Sequence, residues 1–364
     1  KVRKMKPFIR NLLRMSVYQI KYMDAVPDSA VCNEAVKLAK RHKFAQLSGF
    51  VNGVLRNIAR NIDSVQFDTL SIRYSMPQWI VDRFVAEYGE KKAEEIFKAF
   101  HSKSTISIRT NLTRCTPDEL RAMLEAEGVI VTPVDELNYA FVISGFDYLN
   151  GLQSFRDGLF YVQDISSMLV AQTAAPKKGD YVIDVCAAPG GKSTHIAELL
   201  KGSGHVLARD LTDTKVGMIE ENIDRHGLNN MSAEVWDATV FDADSAGKAD
   251  ILICDLPCSG LGVLGRKKDI RYKMTPESVD ELAALQRQIL DTVHTYVKPN
   301  GVLVYSTCTI DEAENEDNVR WFIEKHPEFE LDKSFAEGTG MKQILPGEHG
   351  SDGFFIARFI KSKL

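Results

Sequence analysis

The sequence predicts an α/β chain in three parts: a helical module over residues 1–65, a small α+β module over 70–160, and an α/β domain over 161–364. Three observations carry that prediction. Apolar residues recur at helical spacing through the first sixty positions. Beyond Gln163-Asp164, short apolar runs alternate with helical stretches, as parallel strands and their crossovers do. Finally, the run Tyr181-Val182-Ile183-Asp184-Val185 breaks into Cys186-Ala187-Ala188-Pro189-Gly190-Gly191-Lys192-Ser193, a strand-to-helix turn of small residues.

In chain order, Met5, Phe8, Ile9, Leu12, Leu13, Val17 and Ile20 mark an amphipathic helix with basic residues between them. Helical patterns continue over 29–41 and 44–60, and the polar stretch 61–69 reads as a linker. The spacing then predicts one helix over 77–99 and a strand over Ile106–Thr110. Thr116-Pro117-Asp118-Glu119 is a capping box that opens a helix stopped by Gly128. Short strands are expected at 129–131, 139–143 and 159–162. Helix 165–175 leads to the Tyr181 strand, whose turn feeds a helix running through His195 to Leu200. Next come a strand ending at Asp210, a helix over 214–226, Val235-Trp236-Asp237, and a strand ending at Asp255. A helix over 276–297, a strand over 301–306 and an edge strand over 354–360 complete the domain.

Length and composition narrow the function. A chain of 364 residues exceeds one compact core, and its apolar and charged fractions are those of a soluble globular protein. No apolar run approaches a membrane span, so no membrane partner is expected. Six cysteines, at 32, 115, 186, 254, 258 and 308, have neither disulfide-framework nor zinc-ligand spacing; a reducing cytoplasm is expected, and, with no ligand cluster in the sequence, no metal. Residues 1–60 carry thirteen Lys or Arg against three acids, although the chain as a whole has net charge −5. A basic end on an acidic body suits a polyanionic partner.

The small-residue turn has two readings. Gly191-Lys192-Ser193 matches the end of a phosphate-cradling loop, and Ile251–Asp255 could pass for the metal-holding strand of an NTPase. However, Cys186 stands where the first glycine of that loop belongs, and Pro189 removes a donor from the nest. A ligand with a ribose and a charged tail but no phosphates fits better. S-adenosylmethionine is such a ligand, with Asp210 at a strand tip to accept from ribose hydroxyls.

Asp255-Leu256-Pro257-Cys258-Ser259-Gly260 and Tyr305-Ser306-Thr307-Cys308-Thr309 each place a cysteine just beyond a buried strand, at the sheet edge that carries the glycine turn. Cys32, Cys115 and Cys254 read as inert packing. Carbon 5 of a pyrimidine is too weak a nucleophile for direct methylation, but thiolate addition at carbon 6 activates it; an acid near nitrogen 3 assists, and a base must remove the carbon 5 proton. Cys258, Cys308 and Asp255 supply those groups.

At these motifs the chain resembles the Sun-type RNA cytosine-5 methyltransferases. The resemblance rests on Asp184–Ser193, Asp255–Gly262 and Ser306-Thr307-Cys308. It extends to residues 1–60, which resemble the C-terminal part of a NusB-like RNA-binding domain, and to Leu345-Pro346-Gly347 and Asp352–Phe355 near the end. The implied fold class is α/β, a Rossmann-like S-adenosylmethionine-dependent methyltransferase domain preceded by a small α+β module and an all-α NusB-like module. The implied roles make Cys308 the nucleophile, Cys258 the aid to product release and Asp255 the contact to the target cytosine. Cys186, Ala187, Ala188, Pro189, Gly190, Gly191, Lys192, Asp210, Lys215, Asp237 and Asp255 would surround S-adenosylmethionine. The implied partner is RNA, small-subunit ribosomal RNA first and tRNA or another RNA as the alternative, acted on by a monomer. Leu256, where the family usually has alanine, and Trp236, where glycine commonly precedes the acid, depart from the pattern. A DNA cytosine methyltransferase would use Pro257-Cys258 alone, and Cys308 together with the basic helices favours RNA. A non-catalytic RNA-binding protein would need neither cysteine. Arg266, Lys267, Lys268, Arg271 and Tyr272 are candidates to hold phosphates around an extruded base.

Overall fold

The computed structural model describes residues 2–102 and 105–363. The chain divides into two units, Lys1–Arg73 and Tyr74–Leu364. The first is built from helices Pro7–Tyr22, Asp28–Arg41 and Ser48–Asn61. Their apolar stripes meet at Ile9, Leu12, Leu13, Cys32, Ala35, Ala39, Val51 and Leu55, with Phe8 stacked on Phe44 at 5.4 Å. A proline opens the first helix, where its missing N–H costs nothing.

The second unit begins with two helices, Gln78–Tyr88 and Glu90–His101, where the periodicity predicts one. Gly89 adopts φ +77° and breaks the run, a conformation the apolar pattern does not register. Strands β1 (Ile106–Thr110), β2 (Ile130–Val134), β3 (Leu137–Ser144) and β4 (Phe160–Val162) form an antiparallel sheet in the order β2-β3-β1-β4. Helix Pro117–Ala126, with its capping box intact, packs Leu120 and Leu124 into the core of that sheet.

The larger sheet has eight strands: β5 (Tyr181–Asp184), β6 (His205–Asp210), β7 (Met231–Val235), β8 (Ala249–Asp255), β9 (Val297–Thr307), β10 (Phe329–Leu331), β11 (Met341–Ile344) and β12 (Phe354–Lys361). Their order is β10-β12-β9-β8-β5-β6-β7, with β11 also paired to β12. Strands β5 to β9 run parallel, giving a Rossmann-like sheet whose order reverses between β5 and β8. The strands are apolar throughout because both faces are covered: Ile183, Leu252 and Leu303 face one layer, and Val182, Ile253 and Val304 the other.

Two expectations need correction. The helix from Pro276 ends at Val293, after which His294–Tyr296 forms a 3₁₀ turn and β9 starts at Val297. β12 is no edge strand: β9 lies on one side, and β10 and β11 share the other. The short pieces Phe329–Leu331 and Met341–Ile344 carry too little periodicity to be read as strands before β12 supplies their partner.

Arg109, on β1, joins the small sheet to the cofactor-side helix Gly191–Leu199. Fully buried, it pairs with Glu198 and donates to Gln163 Oε1 at 2.9 Å and Thr194 Oγ1 at 3.1 Å. Removing one partner of a buried pair strands the other charge. Arg109→Ala is therefore expected to lower unfolding free energy by about 3–5 kcal/mol in urea denaturation. Arg109→Met combined with Glu198→Leu should recover much of that loss. A loss under about 1 kcal/mol for Arg109→Ala would mean water reaches Glu198.

Candidate active site

Four parallel strands end at one edge, and each delivers part of the site. β5 feeds the turn Val185–Gly190, β6 ends on Asp210, β8 on Asp255, and β9 on Thr307 just before Cys308. Asp255 lies opposite Ser306 in the β8–β9 register, so residues 51 apart in sequence become neighbours.

The turn differs in detail from its sequence reading. Its N–H groups do not form an open cradle: Ala187 donates to Arg209 O at 2.8 Å, Ala188 to Asp210 Oδ2 at 2.9 Å and Gly190 to Ala187 O at 2.7 Å. Donors spent in this way are withdrawn from any polyphosphate, which weighs against the NTPase reading. Glycine at 191 makes room for protein, since a Cβ there would stand 3.1 Å from the Tyr161 ring. The helix starts at Gly191 rather than further on.

Asp210 is buried and accepts from Ala188 N–H, Leu211 N–H at 2.8 Å and Lys215 Nζ at 2.8 Å. A carboxylate offers about four acceptor positions, so capacity remains beside the half-exposed Lys215. Asp237 lies beyond β7 on the surface, its carboxylate accepting from Thr239 N–H and Oγ1–H at 2.8 and 2.7 Å. Trp236, the departure from the family pattern, lies under the Arg209 guanidinium at 5.0 Å. Leu256, the other departure, is buried in the same core cluster as Leu252 and Cys254.

The reactive groups cluster tightly. Lys192 Nζ donates to Asp255 Oδ2 at 2.7 Å, and Ser306 Oγ donates to Asp255 Oδ1 at 2.8 Å. Burial works against the Lys192 charge, but Asp255 outweighs it and holds the lysine pKa above its ordinary value. Cys258 Sγ lies 3.1 Å from Cys308 Sγ, and both thiols are free and half-buried. Donation from the Cys258 thiol lowers the pKa of Cys308 against the opposing effect of burial, with Lys192 and Lys267 adding positive charge. The same hydrogen bond, together with burial, raises Cys258. These directions favour ionisation of Cys308 over Cys258, although Cys258 Sγ also accepts from Cys308 N–H at 3.3 Å.

A polar clamp that sequence reasoning missed holds the two cysteine loops. Glu314 is fully buried; it accepts from Ser259 N–H at 2.9 Å, from the Ser259 hydroxyl, and from Gln286 Nε2 at 2.9 Å. Gln286 also donates to Pro257 O at 2.8 Å. Gly262 completes the contact: its N–H donates to Cys308 O at 3.1 Å, and a Cβ there would stand 2.3 Å from Gly353 O. On the other side Arg83 pairs with buried Asp311 through both carboxylate oxygens. In the sequence the only signal for Asp311 and Glu314 is their place immediately after the Cys308 motif.

Of the five candidates for phosphate contact, two serve the protein itself. Arg266 is bound by Asp352 at 2.6 Å, Asp164 at 3.1 Å and Thr105 O at 2.9 Å. Arg271 is buried and donates to Ser75 O and Leu264 O. Lys267, Lys268 and Tyr272 remain exposed.

The family model for the 16S rRNA methyltransferase RsmB/F matches residues 171–360, the span of the glycine turn and both cysteines. The chain belongs to the RsmB/F methyltransferase family. Models for the NusB family and for the RsmF/B-like ferredoxin-like domain match residues 1–60 and 76–146. Among curated proteins, the probable ribosomal RNA small subunit methyltransferase B of Bacillus subtilis is 38% identical over 99% of this chain and 84% of its own length. The solved protein PH0851 is 28% identical with TM-score 0.81, covering 100% of this chain and 84% of its own. NSun6 from Pyrococcus horikoshii, solved with the S-adenosylmethionine analogue SFG, is 25% identical with TM-score 0.72, covering 79% and 99%. Membership makes this chain an S-adenosylmethionine-dependent RNA methyltransferase. Among the described residues no helix is long and apolar enough to cross a membrane.

Asp184, under the turn, accepts from Ser193 Oγ and Cys186 N–H, and burial pushes its pKa up to about 7. Between the unfolded value near 4 and this folded value the native state binds more protons, so stability falls as pH rises through that window. Asp184→Asn is expected to flatten stability against pH between about 4 and 7. Denaturant midpoints at several pH values check this; parallel curves for the two proteins would refute it.

Proposed function

We propose that this chain transfers a methyl group from S-adenosylmethionine to carbon 5 of a cytosine in small-subunit ribosomal RNA, acting as a cytoplasmic monomer through a covalent adduct on Cys308. The observation that carries this reading is the Cys258–Cys308 pair, 3.1 Å apart beside Asp255. The turn from Cys186 to Lys192, with Asp210, Lys215 and Asp237 at the neighbouring strand ends, would hold the cofactor. When bound, the cofactor supplies an electrophilic methyl group.

The remaining steps belong to the protein. The Cys308 thiolate adds to carbon 6, forming the C–S bond, while the Lys192–Asp255 pair hydrogen-bonds the nitrogen 3 side, where negative charge develops. Carbon 5, now enamine-like, takes the methyl. Cys258, having released its own proton to solvent, then takes the carbon 5 proton as base; the C–H electron pair re-forms the carbon 5–carbon 6 double bond, the C–S bond breaks and Cys308 leaves as thiolate. Ser306 fixes the Asp255 carboxylate, and Glu314 fixes the loop that carries Cys258. The substrate class is supported by the names of the relatives, the basic helical unit, and the exposed Lys267, Lys268 and Tyr272.

Incubation with labelled S-adenosylmethionine and unmodified small-subunit ribosomal RNA is expected to give labelled 5-methylcytidine on nucleoside analysis. Cys308→Ala should lower the rate about a thousandfold or more. Cys258→Ala should accumulate a protein–RNA adduct that survives denaturing electrophoresis. An adduct that forms without Cys308 and requires Cys258 would reverse the two roles.

A further inference from the structure

At the opposite end of β9 from Cys308, the fold gathers three residues that have no part in methyl transfer. His294 lies in the turn after helix Pro276–Val293, His326 follows helix Glu316–Lys325, and Glu328 immediately precedes β10. One ligand atom from each lies within 4.8 Å of the other two. Glu328 Oε1 stands 3.7 Å from His294 Nε2 and 3.9 Å from His326 Nδ1. Both distances exceed a hydrogen bond, so the carboxylate satisfies neither ring. They are close to the separation of about 3.3 Å between ligand atoms on a tetrahedral zinc with bonds near 2.0–2.1 Å. The two imidazole nitrogens, within 4.8 Å of each other, would have to move closer for the three to share an ion.

The other ring nitrogens support the same reading. His326 Nε2 is buried 3.2 Å from Asp291 Oδ1 without hydrogen-bond alignment, and the His294 ring lies against the backbone of Leu290 and Asp291 at the end of its helix. Two imidazoles with centroids 3.9 Å apart, and the buried His326 Nε2 left unmatched, are costly as simple packing. A carboxylate on the far nitrogen of a ligating histidine is the usual outer support of a metal site, and Asp291 is itself held by Lys325 at 2.9 Å. The remaining cation nearby, Lys361, donates to Val297 O at 3.0 Å and lies over the Phe329 ring.

We infer that His294 Nε2, His326 Nδ1 and Glu328 Oε1 bind a divalent transition-metal cation of the zinc class, with Asp291 orienting His326. Two imidazoles and one carboxylate select zinc over calcium or magnesium, and water completes the tetrahedron. The ion ties the ends of two helices to the β10 edge. It stands apart from the cysteine crevice and is independent of the methylation reading.

The test uses the whole chain, stripped with a chelator and titrated with Co²⁺ as a spectroscopic substitute and with Zn²⁺ by calorimetry. One Co²⁺ per chain is expected, with the visible absorption of a tetrahedral nitrogen–oxygen site and no thiolate charge-transfer band. Binding should persist in Cys258→Ser/Cys308→Ser, which excludes the rival thiol site. It should weaken about a hundredfold or more in His326→Ala and in the gentler, partly exposed Glu328→Gln, and about tenfold in Asp291→Asn. Zn²⁺ should raise the melting temperature of the parent but not of Glu328→Gln. Absence of binding at micromolar metal, binding unchanged in Glu328→Gln, or loss of binding in the cysteine double variant would each overturn the assignment.

Discussion

The register of β8 against β9 is the constraint on which the site depends. Pairing Asp255 with Ser306 brings the ends of the two strands level, so that the next turns, carrying Cys258 and Cys308, must emerge side by side. A slip of one residue would send every side chain of one strand to the other face of a sheet buried on both sides. The hydrophobic layers therefore defend the catalytic geometry: Leu252, Cys254, Leu303 and Tyr305 in one, Ile251, Ile253 and Val304 in the other.

Register alone would leave the two loops free to diverge, and buried polar groups close them. Glu314 reaches from the Cys308 segment to Ser259 in the Cys258 segment, and Gln286 from the covering helix bonds both Glu314 and the carbonyl of Pro257. Tyr305 and Asn318 continue the network to the same helix. Such a network is rigid when fully satisfied, which suits a site where two sulfurs must stand close yet remain distinct in role. The difference between them is electrostatic. Lys192 and Lys267 help to hold Cys308 low, whereas burial and nearby Glu314 push Cys258 up.

Much of the site was legible because its signals are local. A strand that breaks into small residues, an acid at a strand tip and a cysteine two or three positions beyond it are patterns within a dozen residues, and the parallel sheet delivers them to one edge by topology alone. Where the reading went astray, the deciding contact was distant in sequence. Arg266 and Arg271 look like phosphate ligands within their basic loop, but Asp164, Asp352 and Ser75, far along the chain, take them. Gly191 looks like ligand clearance but yields to Tyr161.

The sequence by itself determined the succession of elements, the sheet edge that carries the chemistry, and the two cysteines with their acid, because periodicity and turn chemistry act over a few residues. Only the tertiary structure decided which charges are buried and with whom. Asp311 and Glu314 turn inward because Arg83, Ser259 and Gln286 await them, while Glu312 stays at the surface. Leu256 turns into the core, and His294, His326 and Glu328 meet although no ligand spacing links them. The physical reason is desolvation: a charged or ring-nitrogen group is tolerated in the interior only where a partner is in place, and that partner is fixed by the packing of whole elements.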